Sequence, residues 1–328
     1  MTRFIASMLG WMIFLSFFPA VAVSADLKLG SDVWPPFTDK AGQPRVAIEL
    51  VHEALTRAGY GVKTEIQDFE TVIQGLGMGN FDGSAALWKD PDREKFMYFS
   101  AAYLENRLVL VGRKDSDVKA ASFTDLAGAK VAVVAGYSYG DTAKEGSGPI
   151  FVEGTSDQDN LLRLLDGQVD YMLVDELLIS RVVNHQPDEA KKNLEIGTEP
   201  LIRRSLHFAL NKGLAGAETI IANFNTAIQE MIADGTFNRI LGLNWIRADV
   251  DGDGKLELVH GEGGAGTAAP TTGYSVAADD TTSSEVDRFW VEGQMYQSWD
   301  EVPERYKYSG PKEEGTEGPG MSLFRKDF

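Results

Sequence analysis

Arg93 and Asp175 are the residues of this chain whose type and setting could do chemistry together. Arg93 ends the run Asp90-Pro91-Asp92-Arg93, and Asp175 ends Val169-Asp170-Tyr171-Met172-Leu173-Val174-Asp175. Each lies by a short apolar stretch that reads as a buried strand. A guanidinium grips a carboxylate through two parallel hydrogen bonds, and a carboxylate accepts from an ammonium. Held opposite each other, the two groups fit the two ends of an α-amino acid. The plainer alternative is a pair of solvated charges at strand ends.

The segments around them alternate short apolar strands with amphipathic helices from residue 27 to about 247, the pattern of an α/β protein. Leu27-Lys28-Leu29-Gly30 opens as a strand and leads into the loop Asp32-Val33-Trp34-Pro35-Pro36-Phe37. Ile48, Val51, Leu55 and Ala58 then share one face of a helix that Gly59 stops. Val62 to Ile66, Leu108 to Gly112 and Lys130 to Val134 read as strands, and Ile220, Phe224, Ala227, Ile228 and Met231 form the apolar stripe of a long helix. After Trp245 the composition turns glycine-rich and acidic. Residues 261–285 have no hydrophobic period and read as a linker. Residues 289–296 suggest a small hairpin, and Ser298 to Glu304 a capped helical turn.

Residues 1–25 read as a secretory signal peptide: Arg3, an apolar run from Met8 to Phe18, and Val23-Ser24-Ala25 before Asp26. The chain has no cysteine, so neither a disulfide nor a lipid-modified N-terminal cysteine is available. A protein of a Gram-negative periplasm is the expectation. The net charge is −18; from Asp249 onward 17 acidic and 7 basic residues give −10 of it. That balance argues against nucleic acid or an anionic membrane as partner.

The order of segments resembles the bacterial type 3 periplasmic solute-binding proteins, the receptors of polar amino acid ABC importers. The resemblance covers about residues 26–247. It rests on Trp34-Pro35-Pro36-Phe37, Asp68-Phe69-Glu70-Thr71-Val72-Ile73-Gln74-Gly75-Leu76, Asp90-Pro91-Asp92-Arg93, Phe99-Ser100-Ala101-Ala102-Tyr103, Asp125 to Val133, Gly136-Tyr137-Ser138, Gly167-Gln168-Val169-Asp170 and Val174-Asp175. It implies a type II two-lobed α/β fold. Lobe one would be residues 26–113 and 204–247, lobe two 114–203, and the hinge strands Val109 to Arg113 and Ser205 to Asn211. An acidic, largely irregular extension would follow, with a loop at 248–260 and a tail at 261–328.

By the same resemblance Arg93 takes a ligand carboxylate, Asp175 takes the ammonium, Ser138 helps hold the carboxylate at a helix start, and Trp34 and Phe69 flank the ligand side chain. A helix start favours an anion on independent grounds, because its N–H groups lack partners. The chain departs from the family before the arginine. In Gly83-Ser84-Ala85-Ala86-Leu87-Trp88-Lys89, Ala85 and Trp88 stand where hydroxyl residues are usual, and Trp88 is expected to narrow the pocket or offer its face to an ammonium. The expected activity is capture of a small carboxylate or amino acid by hinge closure, as a monomer, for the membrane subunits of an ABC importer, with no cofactor needed for function.

Asp249, Asp251, Asp253, the Lys255 carbonyl and Glu257 match calcium-ligand positions. His260 replaces the twelfth-position glutamate of an EF-hand, and the strand-like Lys255 to Val259 is closer to an FG-GAP loop. A structural calcium is one expectation; an Asx/Gly turn is the other. Two further readings stay open. One is a periplasmic sensor or adaptor docking a partner through Trp290, Tyr296, Trp299 and Tyr306. The other is a dehydratase-like enzyme, although His52, His185, His207 and His260 fit no nucleophile or metal motif.

Overall fold

A computed structural model of the chain describes residues 26–139, 148–243, 245–261, 274–276 and 288–306. The expected signal peptide, most of the linker and the last residues lie outside these. Among the described residues no helix is long and apolar enough to cross a membrane.

Lobe one is built on β1 (Leu27–Ser31), which pairs in parallel with β2 (Val62–Ile66) and with β3 (Gly83–Trp88). Between β1 and β2, α1 (Val46–Arg57) buries Ala47, Ile48, Leu50, Val51, Ala54 and Leu55, the one-sided set that a 3.6-residue period dictates. Gly59 follows at φ +84, a left-handed value that suits a residue without a side chain. Next, α2 (Phe69–Met78) starts where the Asp68 carboxylate accepts the Thr71 N–H at 2.9 Å. Lobe two stacks β6 (Lys130–Val134), β7 (Ile150–Gly154) and β8 (Tyr171–Asp175) with α3 (Asp157–Leu165), α4 (Glu176–His185) and α5 (Pro187–Asn193).

Two long strands join the lobes. β5 (Leu104–Arg113) and β9 (Leu194–Asn211) run antiparallel, from Leu104 opposite Leu206 to Arg113 opposite Leu194. One end of β9 pairs with β3 and with β4 (Met97–Phe99), while β5 pairs with β8. The sheet order is β2-β1-β3-β9-β5-β8-β6-β7, with β4 beside β9. This moves the hinge from where the sequence put it. Val109 faces Pro200 and Ser205 faces Glu105, so the two expected hinge segments are not opposite each other. Val109–Gly112 already pairs with β8 in lobe two. The crossing lies instead at Leu104–Arg107 against Arg203–Leu206. Its residues are mostly polar, with Arg203 paired to Glu105 and Arg107 to Glu176 at 2.9 Å, so no apolar run marks it. The chain returns to lobe one through α6 (Ala217–Ala233) and α7 (Thr236–Leu241).

The extension is more ordered than expected. A second, five-stranded sheet runs β12-β10-β11-β13-β14: β12 (Tyr274–Ser275), β10 (Trp245–Ala248), β11 (Glu257–His260), β13 (Phe289–Val291) and β14 (Gln294–Tyr296). The last two form the expected hairpin, turning at Glu292 and Gly293, both with positive φ. The strands are too short to announce themselves singly. Together they bury Leu258, Phe289, Val291, Val302 and Tyr306 beside Trp245, Tyr296 and Trp299. Asn238 of α7 donates to the Val259 carbonyl at 3.0 Å, and Ile246 and Val259 belong to the main core, so this sheet packs on lobe one.

The acidic loop links β10 to β11. Asp249 accepts from the N–H groups of Gly252 (2.7 Å) and Gly254 (2.9 Å). Carboxylate oxygens of Asp249, Asp251 and Glu257 lie within 4.8 Å of one another. Asp253 is not in this trio; its carboxylate accepts from the Lys255 N–H at 2.9 Å and from Arg288 at 3.0 Å. Arg288 also reaches Asp251 at 3.2 Å and the fully buried Glu257. A guanidinium thus supplies positive charge where calcium was expected. Removing it strands a buried carboxylate, so Arg288→Ala is expected to cost near the lower end of ~3–5 kcal/mol, because Asp251 and Asp253 stay hydrated. Urea unfolding followed by tryptophan emission measures this, and an unchanged midpoint would count against the pairing.

Candidate functional site

The loops at the strand ends of both lobes enclose two adjoining spaces. The first is lined by Asp32, Trp34, Phe69, Trp88, Arg93, Tyr137 and Ser138. The second is lined by Trp34, Trp88, Tyr137, Tyr139, Asp157 and Asp175. All six residues expected to bind ligand therefore meet in one cleft. Five share the first space, and Asp175 shares the second with Trp34 and Trp88. Tyr137 lines both.

Arg93 is buried in a short 3₁₀ turn after β3. Its guanidinium donates to the carbonyl of Trp88 at 3.0 Å and, across the cleft, to that of Gly136 at 3.2 Å. Its Cζ lies 5.5 Å from the Phe69 ring centre. Asp175 is both the last residue of β8 and the N-cap of α4, where it accepts the Leu177 N–H at 2.8 Å. Asn106 of the hinge donates to its other oxygen at 3.0 Å and accepts from the Trp88 indole N–H at 2.8 Å. This Trp88–Asn106–Asp175 chain fixes the carboxylate from the hinge side. Burial outweighs these donors and pushes Asp175 up to about 7.

Three cross-cleft contacts come from the loop after β6. Gly136 accepts from Arg93, the Tyr137 hydroxyl donates to Asp32 at 3.0 Å, and the Ser138 hydroxyl donates to Asp90 at 2.6 Å. The Tyr137 ring centre sits 4.8 Å from Phe69, 5.4 Å from Trp88 and 5.7 Å from Trp34. The lobes are closed, with Tyr137 among the aromatic walls and between Arg93 and Asp175. Ser138 thus faces Asp90, and the helix expected to start beside it would fall in residues 140–147, outside those described.

The sequence reading missed Tyr137, Asp32, Asp157 and Asn106. Tyr137 lay in a matched segment but carried no charge or motif of its own. Asp157 follows the Ser156 cap at the start of α3, a place where an acidic residue is ordinary and signals no cleft role. Burial in the cleft, chiefly, pushes Asp157 up to about 7, with the nearby charges of Asp175 and Asp32 adding to it. The same cause pushes Asp32 up to about 6 against the Tyr137 hydrogen bond. His52, His207 and His260 line neither space.

Residues 27–246 match the family model of bacterial extracellular solute-binding proteins, family 3. An L-cystine-binding protein of Bacillus subtilis is 29% identical over 205 residues, 62% of this chain and 72% of that one. A probable amino-acid ABC transporter-binding protein of Haemophilus influenzae is 26% identical over 230 residues, 68% of this chain and 86% of that one. Among solved structures, an ancestral arginine-binding protein bound to arginine superposes with a TM-score of 0.57 at 26% identity, covering 67% of this chain and 98% of that chain.

Two outcomes follow from this geometry. Tyr137→Ala removes ring contacts to three lobe-one aromatics, so the ligand-free protein is expected to open. A larger radius of gyration in solution scattering and red-shifted emission from Trp34 and Trp88 would report it, and unchanged values would contradict it. Asp157 has its pKa raised by folding, so folding binds protons between about pH 4 and 7 and the charged form is a growing penalty across that window. Asp157→Asn removes the penalty. The gain in Tm over wild type is expected to be small near pH 4, to grow to pH 7 and to level off above; a gain that shrinks with rising pH would be the wrong sign.

Proposed function

This chain belongs to the bacterial extracellular solute-binding proteins of family 3, and from that premise we propose that it captures an amino acid between its lobes by hinge closure and presents it to an ABC importer. The observation that carries this reading is Arg93, a buried guanidinium from lobe one whose donors reach a lobe-two carbonyl across a cleft that also holds Asp175. A ligand carboxylate would take the place of the Gly136 carbonyl on Arg93. Its ammonium would go to Asp175, held in place by Asn106. Trp34, Phe69 and Trp88 would cover the side chain. A ligand that touches both lobes binds the closed form better and shifts the population toward it. The relatives named for cystine binding, for arginine binding and for an amino-acid ABC transporter support this assignment.

Binding without turnover is the expected activity. We assign export to the periplasm from the N-terminal segment and a monomeric state from the absence of any need for a second copy at the site. The second sheet packs on lobe one, with Tyr306 buried and Trp290, Tyr296 and Trp299 half-buried in it, which favours a structural role over the docking face of a sensor or adaptor. A structural calcium would be held by Asp249, Asp251 and Glu257, and would have to displace Arg288. Millimolar calcium is therefore expected to raise the Tm of Arg288→Ala more than that of wild type.

Arg93→Ala leaves a ligand carboxylate buried without its partner. The expected loss of affinity is about 2–5 kcal/mol. Calorimetry with an amino acid that binds wild type tests it, and an affinity within twofold of wild type would remove Arg93 from the site.

A further inference from the structure

We propose that the cleft selects a ligand of net positive charge, an amino acid with a second basic group, and that Asp157 and Asp175 receive its cationic groups inside a ring of tryptophan and tyrosine faces. This rests on the amino-acid reading above and narrows it.

Charge supplies the first argument. The two spaces are lined by three carboxylates, Asp32, Asp157 and Asp175, and one guanidinium, Arg93. A neutral zwitterion places its carboxylate on Arg93 and its ammonium on one aspartate. Two carboxylates then stay in the closed cleft with no counter-charge, and desolvation makes that costly. A second basic group answers one of them. Other cations nearby are held elsewhere: Arg107 by Glu176, and Arg204 by the Lys89 carbonyl and the Trp88 ring.

The walls supply the second. Trp34, Trp88, Tyr137 and Tyr139 line the same space as Asp157 and Asp175, and aromatic faces attract alkylammonium and guanidinium groups. A space with two carboxylates and four aromatic rings suits a desolvated cation better than a neutral amide or a disulfide.

Burial in the cleft favours the protonated forms of its aspartates. Burial pushes Asp32 up to about 6 and both Asp157 and Asp175 up to about 7. The charged and titratable groups facing this region are Asp32 after β1, Asp90 and Arg93 after β3, Tyr137 and Tyr139 after β6, Glu153 on β7, Asp157 at the start of α3, Asp175 with Glu176 at the β8–α4 junction, and Arg204 of β9 over the Trp88 ring. A cationic ligand favours the ionised aspartates, so its binding should release protons near neutral pH and tighten as pH rises.

Calorimetry on the full chain tests this with L-arginine, L-lysine and L-ornithine against L-glutamine, L-cystine and L-glutamate, and with putrescine as a cation lacking a carboxylate. At pH 8 a basic amino acid is expected to bind at least tenfold more tightly than L-glutamine. The advantage should shrink by about tenfold at pH 5.5, with buffer-dependent heats showing proton release. Asp157→Asn should lower the arginine-to-glutamine ratio by tenfold or more; Asp32→Asn serves as second variant if the first does not fold. Tightest binding of a neutral or acidic amino acid, with the ratio unmoved in these variants, overturns the inference and leaves the amino-acid reading intact. Putrescine binding as tightly as L-arginine keeps the charge inference and overturns the amino-acid reading. Binding of none of these compounds overturns both.

Discussion

Closing two lobes over three carboxylates and a single guanidinium is the physical constraint around which this molecule is arranged. Like charges removed from water repel strongly and cannot all stay ionised. Each aspartate is compensated locally and incompletely. Asp175 has the α4 start and Asn106, Asp32 has the Tyr137 hydroxyl, and burial pushes Asp157 up to about 7. On the inference drawn above, the remaining deficit favours a ligand that brings positive charge into the shut cleft. Affinity and closure are thereby one free-energy term seen from two sides.

The scaffold makes that coupling mechanical. Asn106 lies on β5 at the crossing between lobes and touches both Trp88 of lobe one and Asp175 of lobe two. Its flanking residues Glu105 and Arg107 are held by Arg203 and Glu176. Opposite the hinge, the Gly136-Tyr137-Ser138 loop makes the contacts that seal the cleft. Tyr137 plays the part of a modest internal ligand, a ring between aromatic walls with a hydroxyl on a carboxylate.

Much of this was legible in the sequence, and what was not failed for identifiable reasons. Alternating apolar segments gave the strands and helices of both lobes, and Arg93, Asp175, Trp34, Phe69, Trp88 and Ser138 do converge on one cleft. The hinge was displaced because its residues are mostly polar and lie just outside the apolar runs that mark β5 and β9. Of the second sheet, the β13–β14 hairpin and the strand-like stretch before Val259 were legible, but their assembly with β10 and β12 was not, because strands of two to four residues carry too little period to show what they pair with. Arg288 gave no sign of its role, since it approaches the acidic loop from 31 to 37 residues away in sequence. Asp157 and Tyr137 were invisible for the same reason: their significance is the company brought to them by folding.

The absence of cysteine from the chain permits a direct test of cleft closure. Met78 on lobe one and Ile150 on lobe two are exposed, so Met78→Cys and Ile150→Cys accept a pair of spin labels without side reactions. Electron–electron resonance distances between them, with and without saturating L-arginine, should show a broad ligand-free distribution collapsing to the single span of the closed lobes. A distribution that stays the same while calorimetry on the same sample shows the ligand bound would mean that the cleft does not close on it, and the account would fail at its centre.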